Sequence, residues 1–261
     1  MDKQVQLGDV RTWYAEYGDG HPLVLLHPGG VGVDSRAFGS NIDELAASFR
    51  VYTPDRRAHG RTPDTEGPLT YEVMADDTAA FLDAVIGAPA HLVGYSDGAV
   101  VALLTALRHP QLVDRLVFVA GVFHHDGWLP GVLESDNEDP PEFLAASYAE
   151  VSPDGSEHMP VVASKLAKMH AEGPSLSNDD LTNITARTLV MIADDDEVEL
   201  EHAVALYRGL PAAELAVIPG TSHGLLVEKP HLCNRIIIEF LTTDPVPTIA
   251  PIRRKRKGQT R

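Results

Sequence analysis

The chain reads as an α/β protein whose mostly parallel sheet is covered by helices on both faces. Short apolar runs alternate with helix-like segments along most of its length, the pattern of strands buried on both faces and joined by helical crossovers. Hydrophobic residues make up 44% of the 261 positions, enough to bury a large core in one to two domains. Polar or glycine-bearing loops directly follow several of the apolar runs.

The elements follow in order. Val5–Tyr17 reads as an opening hairpin, and Leu23–Leu26 as the first core strand. Val51–Pro54, Ala90–Val93, Leu116–Val119, Leu189–Ile192 and Leu215–Ile218 read as further strands. Between them, Met74, Thr78, Phe81, Leu82 and Val85 fall on one helical face, and Ala99–Leu107 forms an apolar helix. Glu199–Leu210 reads as a helix, and Leu232, Ile236, Ile237 and Phe240 line one face of the last. Residues 124–187 break the alternation: they lack strand-like runs, and Pro140–Val151 and Met159–Glu172 look helical. This divides the chain into a core (1–123 and 188–244), a helical insertion (124–187) and a tail (245–261). There are no sequence repeats.

The most informative residue is Ser96, in Gly94-Tyr95-Ser96-Asp97-Gly98. The pattern G-x-S-x-G is common, but here it lies between a strand and a helix. A sharp strand-to-helix turn needs small flanking residues, which Gly94, Gly98 and Ala99 supply. It lifts the hydroxyl above the sheet edge, beside a helix N-terminus. A serine hydroxyl is a poor nucleophile until a base takes its proton, and that base needs an orienting carboxylate. His223, in the Gly-flanked loop after Leu215–Ile218, is the candidate base. The carboxylate candidates are Asp194, Asp195 and Asp196, where the run Thr188–Ala193 ends. Three adjacent acids cannot all face one histidine, and spacing alone does not choose among them.

The order Ser96, Asp, His223 resembles the α/β-hydrolase fold superfamily over about residues 5–242. Other segments carry the resemblance. His27-Pro28-Gly29-Gly30 occupies the place of the family's oxyanion loop, and Asp55-Arg56-Arg57-Ala58-His59-Gly60-Arg61-Thr62 is similar to its D-x-R-G-H-G-x-S turn. Ala193–Asp196 matches the acid loop, and His223-Gly224 with Glu228-Lys229-Pro230 the histidine loop. The resemblance implies an α/β-hydrolase fold with a catalytic triad of Ser96, Asp196 and His223, with Asp194 the runner-up acid. Backbone N–H groups of Gly29 and Asp97 would form the oxyanion hole, with Gly30 the alternative to Gly29, and Gly30, Tyr95 and Asp97 would contact substrate. Residues 124–187 would be a cap that closes over Ser96 and selects the substrate. Pro28, Ala58 and Ala193 depart from the family's usual glycines, and Pro28 has no N–H to offer an oxyanion.

Composition excludes several partners. The net charge is −17; six basic residues and no acid lie from 245 on, leaving −23 on residues 1–244. Such a body disfavours nucleic acid and anionic membranes. The insertion holds twelve acidic against three basic residues. The tail, with three prolines and Arg253–Lys257, reads as disordered and solubilising. One cysteine, Cys233, excludes an intramolecular disulfide and reads as a packed core thiol. No signal-peptide segment or run of 18 apolar residues is visible, so a cytoplasmic monomer or homodimer is expected; in that compartment the glycosylation pattern Asn183-Ile184-Thr185 carries no meaning.

His27 is expected to shape the oxyanion loop through a hydrogen bond, and His59 to belong to a structural turn. His124-His125-Asp126 could pair a metal but offers no well-spaced third ligand, so a hinge or plain exposure is the better reading. The glycines at 29, 30 and 32 lack phosphate-loop register. Neither a metal nor an organic cofactor is expected.

Asp97 has two readings. It caps the next helix, where negative charge is worth roughly 0.3–1 kcal/mol, or it faces the pocket and favours cationic substrates. The expected activity is hydrolysis of a small-molecule ester or lactone through an acyl-enzyme. Carbon–carbon bond hydrolysis, perhydrolysis and amide or aminoacyl-ester hydrolysis share the triad. A non-catalytic ligand-binding sensor is the rival from another class. Ser96 argues against haloalkane dehalogenases and epoxide hydrolases, which carry a carboxylate nucleophile.

Overall fold

The computed structural model describes residues 3–133, 140–245 and 248–250. The basic run of the tail lies outside the described residues.

The strands are β1 (Lys3–Leu7), β2 (Val10–Tyr17), β3 (His21–Leu26), β4 (Phe49–Pro54), β5 (Ala90–Tyr95), β6 (Val113–Val119), β7 (Arg187–Asp195) and β8 (Ala213–Ser222). They form one sheet in the order β1-β2-β4-β3-β5-β6-β7-β8. The opening hairpin is antiparallel and β2 joins β4 antiparallel; every later pairing is parallel.

Strand periodicity explains the two cores. Alternate residues point to opposite faces. Val24, Leu26, Leu92, Leu116, Phe118, Val190 and Ile192 pack on one face with α2 (Tyr71–Phe81), α3 (Asp97–Arg108) and α7 (Leu200–Gly209). Leu23, Leu25, Val93, Val117, Val119, Leu189 and Met191 pack on the other with α1 (Ile42–Ala46), α8 (Leu225–Glu228) and α9 (Pro230–Thr242). Both faces are therefore dry, and the strands read as continuous apolar runs.

β7 and β8 extend further than their apolar runs. Pairing resumes at Asp195↔Ser222 after an irregularity between Ala193 and Asp195. Backbone hydrogen bonding thus carries the strands into the polar segments that the sequence assigns to loops.

Between β6 and β7 the chain leaves the sheet and forms α4 (Glu142–Val151), α5 (Met159–Glu172) and α6 (Asn178–Leu181). Its two ends meet: Leu176 N–H donates to the Phe123 carbonyl, His125 N–H to that of Pro174, and His124 bridges to Ser175. His124 and His125 therefore sit at the root of the insertion. Among the described residues, no helix is long and apolar enough to cross a membrane.

Candidate active site

Ser96 joins β5 to α3 with φ 55° and ψ −122°. A non-glycine residue there costs about 1–3 kcal/mol and persists only where its surroundings impose it. They do so here. Ser96 N–H donates to the Val119 carbonyl at 2.8 Å, and its own carbonyl accepts from Ala99 at 2.8 Å. A Cβ on Gly94 would stand 2.2 Å from the Gly98 carbonyl oxygen, and one on Gly98 2.0 Å from that of Leu26. The glycines let β5, α3 and β3 close on one another, and that closeness fixes the serine.

His223 follows β8, and its Nε2 lies 3.0 Å from Ser96 Oγ. Its Nδ1–H donates to Asp196 Oδ1 at 2.7 Å. Asp196 is buried, its Oδ2 accepting from Ala193 N–H and its Oδ1 also from Val198 N–H. Asp194, the alternative acid, accepts from Thr221 N–H instead. The geometry thus separates three acids that spacing left equivalent. Burial pulls the His223 pKa down, but the hydrogen bond and charge of Asp196 outweigh it and leave it above the ordinary value.

The His27-Pro28-Gly29-Gly30 loop arches over the elbow. His27 is fully buried: Nδ1–H donates to the Pro28 carbonyl and Nε2 accepts from Arg56 N–H. Burial and the Arg56 charge hold its pKa well below normal, so the ring is a neutral brace, as its sequence position implies. The buried Arg56 guanidinium donates to the carbonyls of His27 (2.8 Å) and Pro28 (3.0 Å), clamping the loop. Gly29 is obligatory, since a Cβ there would lie 1.8 Å from Asp97 Oδ2.

The loop is also fastened to the insertion. Ser147 of α4 donates to the Gly32 carbonyl at 2.8 Å, and a Cβ on Gly32 would lie 2.0 Å from the Leu144 carbonyl oxygen. Arg36 reaches Ser147 Oγ and Glu150 at 2.7 and 2.8 Å. On the other side, Lys165 and His158 of the insertion bind Asp64 at 2.7 and 2.9 Å.

Asp97 has its side chain in the site, but both oxygens are engaged. Oδ1 accepts from Tyr71 O–H and Oδ2 from His170 Nε2–H, each at 2.8 Å. Against the opposing effect of burial, His170, Arg56 and Tyr71 hold this carboxyl far below the usual range. Asp97 lines the cavity, as one of its two readings expects, but its charge is already met by protein groups.

Tyr95 corrects an expectation. It does not line the cavity beside Ser96; it packs in the core on the α9 face and donates to the His223 carbonyl. Strand alternation turns its ring to the α9 face of the sheet.

The cavity at Ser96 measures about 210 Å³. Gly29, Gly30, Asp97 and His223 line it from the sheet side, Trp128 and His170 from the insertion, and Glu197 from the acid loop. The Trp128 ring stands 6.0 Å from that of His223 at a steep angle. Sequence reasoning missed Arg56, Tyr71, Trp128, His170 and Glu197. Only Arg56 lay within a motif that could have signalled it.

A sequence model of the Alpha/beta hydrolase family matches residues 23–236. The chain belongs to that family. Relatives of this alpha/beta hydrolase include a Caulobacter sp. (strain K31) protein named as a proposed carbamate hydrolase, RutD. The two are 28% identical, over 91% of this chain and 98% of that one. The fold of this alpha/beta hydrolase matches the meta-cleavage product hydrolase CumD from Pseudomonas fluorescens IP01, with a TM-score of 0.77, 23% identity and coverage of 92% and 97%. It also matches Est816, described as an N-acyl homoserine lactone degrading enzyme, with a TM-score of 0.71, 25% identity and coverage of 91% and 100%.

Proposed function

We propose that this alpha/beta hydrolase cleaves a carboxylic ester or lactone of a small molecule by a two-step acyl-enzyme mechanism. The observation that carries the reading is the continuous line Asp196–His223–Ser96, ending in a hydroxyl held at a strained turn beside a cavity.

In this reading Ser96 Oγ attacks the carbonyl carbon as its proton passes to His223 Nε2. Asp196 keeps the His223 proton on Nδ1 and stabilises the imidazolium. The N–H of Asp97 opens α3 and has no acceptor within that helix. With the Gly29 N–H it would hold the tetrahedral oxyanion, an interaction whose loss costs about 10²–10³ in rate. His223 then protonates the leaving alkoxide, and a water activated by the same imidazole releases the acid. Residues 124–187 act as the cap, with Gly30, Trp128 and His170 as the substrate contacts. A cavity of 210 Å³ is below the usual ligand range of about 300–1,000 Å³ and favours a small acyl group.

A carbamate is the second reading, suggested by the RutD-named relative that this chain spans almost end to end; the same triad would then pass through a carbamoyl-enzyme.

The test is turnover of p-nitrophenyl esters from acetate to octanoate, of small lactones and of carbamates, with Ser96→Ala in parallel. Short esters or lactones turned over by the wild type and reduced about 10⁶-fold in Ser96→Ala support the reading. Turnover confined to carbamates moves the assignment to the second reading. Binding of these compounds without turnover overturns both in favour of a sensor.

A further inference from the structure

A second cluster of chemistry-bearing side chains lies at the other end of the sheet. His21 opens β3, His91 is the second residue of β5 and Asp114 the second of β6. These strands are neighbours in the order β3-β5-β6. Ser96 follows the opposite end of β5, about 16 Å along the strand at roughly 3.3 Å per residue. The cluster is therefore separate from the triad.

Strand register assembles it. Leu23 pairs with His91, and His21, two residues before Leu23, points to the same face. The register of β5 against β6 is irregular between Ala90 and Leu92, where Asp114 lies alongside. One nitrogen from each histidine and one carboxylate oxygen come within 4.8 Å of one another. The two rings stand 4.2 Å apart, and His21 Nε2 is 2.9 Å from Asp114 Oδ2.

An ordinary ion pair accounts for His21 and Asp114 but not for His91. That residue is 7% exposed, and its Nδ1 is buried with no hydrogen-bond partner. A buried imidazole nitrogen left without a partner, on a ring packed against a second histidine and close to a carboxylate, is what a bound metal ion would satisfy. We propose that His21, His91 and Asp114 form a zinc(II) site that ties together the amino ends of β3, β5 and β6.

The donor set selects the ion. Two imidazole nitrogens and one carboxylate oxygen suit zinc, whereas calcium and magnesium take oxygen. Zinc bonds of about 2.0–2.2 Å place the ligand atoms of a tetrahedral site roughly 3.3 Å apart, within reach of small side-chain rotations here. His21 and Asp114 are about 40% exposed, so solvent reaches the fourth position.

The test is calorimetric titration of zinc chloride into the full chain without an affinity tag. It compares the wild type with His21→Ala, Asp114→Asn and His125→Ala. The last removes a residue of His124-His125-Asp126, the other group of this kind among the described residues. One equivalent should bind the wild type and His125→Ala alike, and about 10–100-fold more weakly in His21→Ala and Asp114→Asn. Zinc at 100 times its Kd should raise the wild-type Tm by roughly 5–10 °C and leave the two weakened variants nearly unmoved. His21 and Asp114 are exposed and His125 is half-buried, and melting without metal verifies that each variant folds. Zinc binding that is absent from the wild type, that survives both His21→Ala and Asp114→Asn, or that is lost in His125→Ala overturns the proposal.

Discussion

His170 Nε2 lies 2.8 Å from Asp97 Oδ2, so a helix of the insertion grips the residue that immediately follows Ser96. The contact joins three segments, because Asp97 also binds Tyr71 and packs directly beneath Gly29. The insertion is thus mechanically continuous with the His27-Pro28-Gly29-Gly30 loop.

Removing that grip should uncouple the two. His170→Ala leaves the Asp97 carboxylate with one fewer partner in a buried setting, where breaking a pair costs about 3–5 kcal/mol. The variant should melt earlier and lose at least tenfold in kcat/KM. Asp97→Asn should also lower turnover, yet change the preference between matched cationic and neutral esters less than about twofold. A large drop in that preference would restore Asp97 as a substrate-binding charge.

The acid limb of the pH profile follows from His223. Its pKa is raised, so the protonated form persists above the ordinary value near 6.5. Only the neutral ring can accept the serine proton. kcat/KM should therefore fall as pH drops through an apparent pKa above 6.5. Asp196→Asn should shift that limb downward and reduce kcat about 10⁴-fold. An acid limb at or below pH 6 in the wild type would contradict this account.

Tyr95 acts on His223 from behind. Its hydroxyl donates to the His223 carbonyl. A typical hydrogen bond contributes about 0.5–1.5 kcal/mol. Tyr95→Phe should lower kcat by roughly three- to tenfold and leave KM nearly unchanged, since Tyr95 does not line the cavity. A KM effect larger than the kcat effect would place Tyr95 in contact with substrate.

The elbow glycines tolerate no side chain. Gly94→Ala and Gly98→Ala each drive a methyl onto backbone carbonyls. Neither neighbour can rotate away, so each should destabilise by about 3 kcal/mol or more. Thermal melting with circular dichroism measures this directly, and a near-native Tm for either would show that the elbow is looser than described.

Ser96 and His223 were legible in the sequence because strand ends announce themselves: an apolar run followed by small or polar residues has few other meanings. Asp196 was narrower. Spacing did not separate it from Asp194, and only the likeness of Ala193–Asp196 to the family's acid loop favoured it. Tyr95 was misread because it adjoins the nucleophile in sequence while pleating turns it to the other face. His170, Tyr71 and Trp128 reach the site from segments far apart in the chain and carry no motif. His21, His91 and Asp114 meet only because β3, β5 and β6 are neighbours, so sheet order had to be known first.

The seam between the Gly32 loop and α4 bears on attempts to re-engineer this protein. Grafting a foreign insertion onto the sheet would replace Ser147 and Glu150, leaving Arg36 with Asp34 but without its partners on α4, and would place a new helix against a glycine that leaves it no clearance. The unit for exchange is residues 28–36 together with 124–187, transplanted as one piece.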